Sequence, residues 1–382
     1  MLVISSASSP ALPISAAGAV SAGAVLTIDL SALRANYRRL CREAGGARVA
    51  GVVKADAYGL GAERVAPALW SEGCRSFFVA HLSEALALRP ALPSEAEIFV
   101  LNGLAPGDER RCAEAHVTPV INSGTQLSAW GALAQTLGRP LPAALQVDSG
   151  MARLGLAPEE VAAIAADPAH LAGVDVTLVM SHLACADEPE HPANRAQLEA
   201  FKALAARLPE ARRSLANSAG VFLGPDFHFD LCRPGIALYG GQPFEGPENP
   251  MRAVARLDAR VIQIREVPAG AGVGYGWSLV APGAMRLATI GIGYADGWPR
   301  SLSNRLGAYH GGQPLGAAGR VSMDSVILDI GSAALKPGDL VELIGPHQSL
   351  GEVAATAGTI PYEILTALGQ RFERRYAEGA LA

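Results

Sequence analysis

The sequence predicts an α/β protein in which a (β/α)8 TIM-type barrel is followed by a mostly β C-terminal domain. Short apolar runs alternate with Ala-rich amphipathic stretches eight times in roughly 210 residues, as expected for a parallel sheet closed into a barrel. The composition then changes at residues 240–250, where Gly and Pro are frequent enough to indicate a linker. Beyond this linker, apolar residues recur with period two, which indicates β-strands.

The individual elements follow from these patterns. A first helix is predicted over residues 30–43, where Leu33, Tyr37 and Leu40 recur at helical spacing. The eight barrel strands are predicted at residues 48–54, 76–80, 97–102, 117–122, 143–148, 174–182, 214–217 and 229–233, with helices that include 62–72, 83–89, 125–137, 159–166 and 193–208. The second domain is predicted to hold strands at 257–267, 285–292, 321–330 and 339–344, and helical turns near 351–357 and 363–374.

Three regions are therefore expected. Residues 1–24 carry no charge and are rich in Ala, Ser, Gly and Pro, which predicts a disordered leader. A signal peptide is not favoured, because the basic segment is missing and Pro10 and Pro13 interrupt the apolar run. Residues 25–245 are predicted to form the barrel and residues 246–382 the β-rich domain. No segment reaches the roughly 20 strongly apolar residues of a membrane span.

The bulk composition excludes several classes of function. The chain has 382 residues, a net charge of -5 and no basic block of the kind that binds nucleic acid. Its five cysteines form no CxxC pair, which fits reduced thiols in the cytoplasm. The histidines lack metal-binding spacing. We expect a cytoplasmic protein that acts on a small molecule without a metal, a membrane or nucleic acid.

Polar side chains fall where the predicted barrel strands end. The strand ends of a (β/α)8 barrel meet at one mouth, where the chemistry of such barrels takes place. Each residue also has an ordinary explanation: Lys54 as a strand-end lysine, His182 as a core histidine, and Asn217-Ser218 as a helix cap. Their shared placement favours one site, with Lys54 after the first strand and, in order, Arg153, His182, Asn217, Ser218 and Arg233 after the fifth to eighth strands.

A lysine at such a mouth suggests Schiff-base chemistry with pyridoxal 5'-phosphate. Ser218 and the backbone N–H groups of Gly235 and Ile236 can hold a phosphate at a helix start. His182 can lie flat against the pyridine ring, and Arg233 can face the ring nitrogen. Since a guanidinium does not release its proton, that nitrogen would stay unprotonated and the ring would be a weaker electron sink.

These motifs resemble those of the alanine racemases, fold-type III pyridoxal phosphate enzymes, from about Thr27 to about Tyr376. The matching motifs are VVKADAYG (52–59), VDSGMARLG (147–155), MSH (180–182), NSA (217–219), RPGIALYG (233–240), VGYG (273–276), GYADG (293–297), GRVSMD (319–324) and PYE (361–363).

The resemblance implies a role for each matched residue. Lys54 would be the Schiff-base lysine and one catalytic base, and Tyr275, from the partner subunit of a homodimer, the base on the opposite face. Arg153 would bond the phenolic oxygen of the cofactor and the substrate carboxylate. The cofactor would otherwise be held by Tyr58, His182, Asn217, Ser218, Arg233, Gly235, Ile236 and Tyr362. The substrate would also meet Met323, Asp324 and Tyr294, with Tyr294 and Tyr362 at the gate of the site.

One position departs from the pattern of the family. Some members carry a carbamylated lysine seven residues before the arginine that corresponds to Arg153, and this chain has Gln146 there. An amide does not carbamylate and carries no charge. The expected activity is therefore independent of bicarbonate, and Arg153 would be oriented by a neutral hydrogen bond or by another group such as an anion.

The expected function is racemisation of L- and D-alanine, either to supply D-alanine for peptidoglycan or to degrade it. A broad-specificity or serine-preferring racemase is an alternative on the same scaffold, because pocket size decides between such substrates. A pyridoxal phosphate-binding regulatory protein is less favoured, since related barrels of that class lack the β domain. A decarboxylase of basic amino acids shares the domain plan but fits Tyr275 and Arg233 less well.

Overall fold

The computed structural model describes residues 22–246 and 248–379, and it confirms the predicted barrel and β-rich domain. Strand β1 (Ala24–Asp29) precedes the barrel. The barrel strands are β2 (Arg48–Val49), β3 (Gly51–Val52), β4 (Ser76–Val79), β5 (Glu97–Val100), β6 (Thr118–Ile121), β7 (Leu141–Gln146), β8 (Val174–Met180), β9 (Arg212–Ser214) and β10 (Leu231–Cys232). The helical segments of this domain are α1 (Leu30–Glu43), α2 (Lys54–Tyr58), α3 (Ala62–Ser71), α4 (Leu82–Leu88), α5 (Glu109–Glu114), α6 (Gly124–Leu137), α7 (Pro158–Ala166) and α8 (Pro192–Ala205).

Hydrogen bonds between the first and last strands close the barrel. Strands β3 to β9 pair in sequence order, and every pairing is parallel. Strand β10 pairs in parallel with β2, and the Ala50 N–H donates to the Cys232 carbonyl over 2.9 Å. The Arg233 N–H donates to the Ala216 carbonyl over 2.8 Å, which joins the end of β10 to the segment after β9. The carboxyl ends of all eight strand positions therefore surround one mouth.

The central strands of the barrel are apolar, as expected for strands that are covered on both faces. All four residues of β4 are buried, as is typical of a parallel strand between a barrel interior and an outer layer of helices. The rings of Phe78 and Phe99 stack with their centroids 4.7 Å apart. Burial of one such side chain contributes about 1.5–3 kcal/mol. This core fixes the strand ends that carry the functional residues.

The second domain is an antiparallel barrel of its own. It contains β11 (Ala255–Val267), β12 (Gly272–Val273), β13 (Leu279–Val280), β14 (Met285–Ile290), β15 (Ala308–His310), β16 (Gln313–Ala317), β17 (Val326–Asp329), β18 (Leu340–Ile344), α9 (Leu350–Ala357), α10 (Pro361–Ala367) and β19 (Glu373–Ala377). Six strands close on themselves in the order β14-β17-β16-β15-β18-β11, because β11 also pairs with β14. Strands β12 and β13 form a separate hairpin.

Strand β1 belongs to the second domain rather than to the barrel that follows it. It pairs antiparallel with β11 and parallel with β19, so its apolar residues are buried between two strands of that sheet. The predicted boundary at residue 25, which assigned this strand to the barrel, is therefore corrected by the strand pairing. The predicted leader lies outside the described residues as far as residue 21.

Two predicted elements of the second domain also differ from the structure. The helical turn expected at 363–374 ends at Ala367, and residues from Glu373 onward form β19, because pairing with β1 overrides their weak helical pattern. The strand expected at 321–330 starts only at Val326, since residues 322–325 form a turn closed by a 3.0 Å bond from the Ser322 N–H to the Ser325 carbonyl. Among the described residues, no helix has both the length and the apolar character needed to cross a bilayer.

Candidate active site

A cavity of about 340 Å³ opens at the carboxyl ends of the barrel strands. All ten residues that the sequence assigned to the cofactor line it, so the predicted convergence at the barrel mouth is present in the fold. These residues are Lys54, Tyr58, Arg153, His182, Asn217, Ser218, Arg233, Gly235, Ile236 and Tyr362. The cavity wall also includes Gln146, Leu154 and Asn102.

Lys54 and Tyr58 reach the cavity because the chain makes a left-handed turn between them. Residues 55–58 have φ values between 52° and 58°, although none of them is glycine. Each such residue costs roughly 1–2 kcal/mol, so neighbouring groups must hold the turn. Glu84 accepts the Ala55 N–H over 2.6 Å, and Asp56 accepts the Ala62 N–H over 2.7 Å. These carboxylates stabilise the geometry that directs both side chains to one site.

The environment of Lys54 favours its neutral amine. Burial lowers the pKa of Lys54 below its usual value, and the positive charge of Arg153 lowers this pKa further. The carboxylate of Glu84 acts in the opposite direction. A neutral lysine amine is a nucleophile toward an aldehyde, whereas the ammonium form is not. The cavity thus contains a lysine prepared for covalent chemistry with a carbonyl compound.

Hydroxyl groups and backbone N–H groups gather at one end of the cavity. The Ser218 hydroxyl oxygen accepts the N–H groups of Gly235 and Ala237 over 2.8 and 3.3 Å. Burial raises the pKa of the Tyr58 phenol, and it raises the pKa of Tyr362 to about 12, so both remain protonated donors near neutral pH. A Cβ on Gly235 would lie 2.2 Å from the Tyr58 hydroxyl. Glycine is therefore required there for Tyr58 to keep its place.

The cavity also holds a buried positive charge, that of Arg233. Arg233 is 4% exposed, and its guanidinium donates to the Ser181 carbonyl over 2.6 Å and to the Ser214 hydroxyl. Within residues 22–246 and 248–379, it pairs with no carboxylate. Burial lowers the pKa of Arg233 to about 10, and burial beside Arg233 lowers the pKa of His182 to about 3. A charged arginine and a neutral histidine therefore face the cavity together.

Gln146 is buried beside the cavity at 6% exposure, and Arg153 is exposed at its rim. Neither side chain makes a hydrogen bond or ion pair with the described part of the chain. The turn that carries Arg153 is held by Asp148, whose carboxylate accepts the N–H groups of Gly150 and Met151 over 2.9 Å each. The turn is thus fixed while the guanidinium itself is left for another partner.

Asn217 caps the turn after β9, as the ordinary interpretation of that motif predicts. Its side-chain oxygen accepts the Gly220 N–H over 2.9 Å, and its amide also borders the cavity. Asn102 was missed by the sequence analysis, although it follows β5 and obeys the same strand-end rule as the others. In the described residues, no group of three His, Cys, Asp or Glu side chains is arranged to bind a metal ion.

Of the five residues predicted from the second domain, Tyr362 lines this cavity and the other four do not. Tyr275 is 70% exposed at the tip of the β12–β13 hairpin, between two glycines with positive φ. Tyr294 and Met323 are 44% and 53% exposed, and Asp324 is exposed beside them. One chain therefore brings together the residues predicted to hold the cofactor but leaves Tyr275, Tyr294, Met323 and Asp324 on its surface.

The fold and the cavity together define a class of two-domain enzymes, in which a (β/α)8 barrel with a strand-end lysine precedes a closed β domain. Comparison with known proteins is more specific. The alanine racemase N-terminal domain matches residues 28–243, and the alanine racemase C-terminal domain matches residues 254–376. The chain belongs to the alanine racemase family.

Individual relatives match over nearly the whole chain. It is 56% identical over 362 residues to a protein of Mesorhizobium japonicum named "Alanine racemase, catabolic", with 94% of each chain covered. A protein of Agrobacterium fabrum with the same name is 55% identical, over 94% of this chain and 93% of that one. The alanine racemase of Bartonella henselae, solved with covalently bound pyridoxal phosphate, superposes with a TM-score of 0.89 at 46% identity, covering 93% of this chain and 100% of that chain.

Proposed function

We propose that this protein is a pyridoxal phosphate-dependent alanine racemase that interconverts L- and D-alanine. The main observation behind this proposal is that Lys54, whose pKa is lowered, and the buried Arg233 line the same cavity. A lysine of this kind suits a carbonyl cofactor, and a guanidinium whose partners in the described part of the chain are neutral oxygens suits an unprotonated ring nitrogen. The membership of the chain in the alanine racemase family supports the same assignment.

The residues of the cavity fit pyridoxal phosphate. The Tyr58, Ser218 and Tyr362 hydroxyls and the N–H groups near Gly235 and Ile236 would hold its phosphate. Arg233 would face the ring nitrogen, His182 would pack against the ring, and Arg153 would bond the phenolic oxygen. When bound, the cofactor supplies an electron-withdrawing ring that acidifies the Cα–H bond of an amino acid. With a guanidinium at the ring nitrogen, this withdrawal is moderate, which disfavours transamination.

Racemisation requires a base on each face of Cα. Lys54 would remove or return the proton on one face, and the burial that lowers its pKa favours the neutral amine that a base needs. The partner's Tyr275 would serve the other face. In one chain Tyr275 is exposed beyond the cavity, so a second copy must deliver it. This requirement supports a homodimer with two shared sites.

The exposed apolar surface also fits assembly with a second copy. Tyr275, Trp277, Val280, Tyr294 and Met323 of the second domain are each between 44% and 71% exposed. Exposed aromatic and aliphatic side chains in this number mark an interaction surface more often than a solvated face. The partner's Met323 backbone and Asp324 would then meet the substrate together with Arg153, and the partner's Tyr294 would border the gate with Tyr362.

The names of two relatives favour degradation of D-alanine over its supply to the cell wall. Two relatives above 50% identity are named catabolic, whereas the alanine racemase of Pseudomonas aeruginosa described as biosynthetic is 39% identical. Growth on D-alanine as nitrogen source, with and without the gene, tests this role. Growth that does not depend on the gene, together with a requirement for D-alanine in rich medium, would indicate wall synthesis instead.

The activity is tested with purified protein and added pyridoxal phosphate. We expect D-alanine to form from L-alanine, and slower reactions with L-serine and L-lysine, measured by chiral chromatography. A faster reaction with L-serine would support the serine-preferring alternative. Cofactor absorbance without conversion of any amino acid would favour a binding protein over an enzyme.

A further inference from the structure

One exposed guanidinium in the second domain joins two carboxylates that lie far apart in sequence. The Arg371 Nε donates to Asp296 Oδ1 over 2.6 Å, and its Nη1 donates to Asp324 Oδ1 over 2.8 Å. Asp296 is 4% exposed, whereas Asp324 lies on the surface next to Met323. The proposed function places Asp324 and Met323 at the substrate, so the group that fixes them bears on the site.

The buried carboxylate extends this network to Tyr294. Asp296 Oδ2 accepts the Gly293 N–H over 2.9 Å at the start of the turn that carries Tyr294. The Tyr294 N–H then donates to the Ser322 carbonyl over 3.0 Å, and the Ala295 N–H donates to the Met323 carbonyl over 2.9 Å. Residues 293–296 and 322–324 therefore form one unit, with the Arg371 guanidinium bonded to both of its carboxylates.

The segment around Arg371 also contacts the elements that line the barrel cavity of its own chain. Arg371 follows α10, whose Tyr362 lines the barrel cavity of its own chain. The Gly369 N–H donates to the Asp296 carbonyl over 3.0 Å. Nearby, Arg374 Nη2 donates to the carbonyls of Gly59 and Gly369 over 3.2 and 2.9 Å, and Gly59 immediately follows the turn that bears Lys54 and Tyr58. Arg371 thus lies between the half-site of its own chain and the surface that would meet the partner.

We propose that Arg371 is a positioning residue for racemisation, and that it acts on the active site of the partner subunit. By bonding Asp324 and Asp296 at once, it fixes the Met323–Asp324 turn and the Tyr294 turn where the substrate enters the partner's cavity. This inference rests on the proposed function. An exposed ion pair without such a role contributes only about 0–1 kcal/mol, so its loss would leave substrate binding almost unchanged.

The first test compares holoenzyme variants at two arginines that match in exposure. The side chains of Arg371 and Arg375 are both 53% exposed, but Arg375 forms its one ion pair within the described residues with Glu373, two residues away. We expect Arg371→Gln to raise the KM for alanine at least tenfold while cofactor absorbance is kept. Arg371→Lys should be intermediate, because an ammonium is a point charge without the planar fork of arginine. Arg375→Gln should stay within twofold of the wild type.

The lysine variant carries the test if Arg371→Gln fails to fold, because it keeps a cation beside the buried Asp296. Its KM should exceed that of Arg375→Gln by at least threefold at an equal melting temperature. If the wild type is active and the Arg371 variants have the same KM and kcat as Arg375→Gln, the inference is overturned and the proposed function stands. A wild type that racemises no amino acid would overturn both.

The second test determines whether Arg371 acts on the active site of its own subunit or on that of the partner. In a heterodimer of a Lys54→Ala chain and an Arg371→Gln chain, the only intact Lys54 would meet the second domain of the Lys54→Ala chain, where Arg371 is intact. Its KM should equal that of the wild type. In a heterodimer of a wild-type chain and a chain with both substitutions, the only intact Lys54 would meet a second domain that carries Arg371→Gln, and the KM should rise at least tenfold. Equal KM values in the two heterodimers would overturn action on the partner.

Discussion

The contact between Gly235 and Tyr58 gives the sharpest test of how the cavity holds its cofactor. Gly235 has φ −118° and ψ −87°, a combination outside the regions that other residues favour, so Gly235→Ala carries a backbone cost in addition to a steric one. The added Cβ would lie 2.2 Å from the Tyr58 hydroxyl oxygen and 3.0 Å from Cζ. Tyr58 is 5% exposed and lies 4.7 Å from the Tyr239 ring, so it has little room to move away.

Overpacking of this kind costs about 1–3 kcal/mol. Because the hydroxyl that must move is a proposed phosphate ligand, we expect much of this cost to appear in cofactor binding. About 1.4 kcal/mol corresponds to a tenfold change in Kd, so the Kd for pyridoxal phosphate should rise by about tenfold to a hundredfold. Titration of the apoprotein, followed by absorbance of the bound cofactor, measures this change.

Two further variants separate the contact from a general loss of stability. Gly46→Ala is the matched control, because no atom lies within 4 Å of the Cβ that would be added and the backbone there does not have positive φ. In Tyr58→Phe/Gly235→Ala the nearest atom is gone, so the second substitution should cost less cofactor affinity than it does beside tyrosine. A Gly235→Ala protein with wild-type Kd, or equal costs in both backgrounds, would refute the reasoning.

Three other predictions concern the bases, Arg153 and His182. Lys54→Ala should abolish both cofactor absorbance and activity. Tyr275→Phe should keep the absorbance but slow removal of the Cα proton from L-alanine far more than from D-alanine. Equal slowing for the two enantiomers would argue against face-specific roles. Since Gln146 does not carbamylate, kcat should be unchanged after exhaustive removal of CO2, and a large rescue by bicarbonate would contradict this. Burial lowers the pKa of His182 to about 3, below its ordinary value of about 6.5. As the pH falls, the unfolded chain therefore binds this proton before the folded chain does. The free energy of unfolding should decrease as the pH drops from about 6.5 toward 3. Urea unfolding measures this change. Between pH 7 and pH 5, the free energy of unfolding should decrease less in His182→Gln than in the wild type, and an equal decrease would mean that another group titrates.

The strand ends of the barrel could be predicted from sequence because the signal there is local. Lys54, His182 and Arg233 each follow a short apolar run, and barrel topology then brings them to one mouth. The second domain was harder to predict. Strand β19 carries three charged residues among five, so only its pairing with β1, more than 300 positions away, defines it as a strand.

The local geometry of the lysine turn had no sequence signal. Residues 55–58 adopt positive φ without a glycine among them, and the carboxylates of Glu84 and Asp56 that stabilise the turn are recognisable only once α3 and α4 are in place. Arg371 was missed for a similar reason. In sequence it is one of several charged residues near a helix end, and only the folded second domain brings Asp296 and Asp324 to it.

The division of labour between the domains follows from what each can bury. An aromatic ring and a lysine that is to stay neutral need a low-dielectric cavity, which the barrel mouth provides around Lys54 and Arg233. The second base must instead approach the opposite face of the substrate, and the hairpin that carries Tyr275 projects from the surface of its own chain. If a partner supplies that tyrosine, a separated subunit keeps its cofactor but loses one of the two proton transfers. Dilution should then abolish racemisation before it abolishes cofactor absorbance.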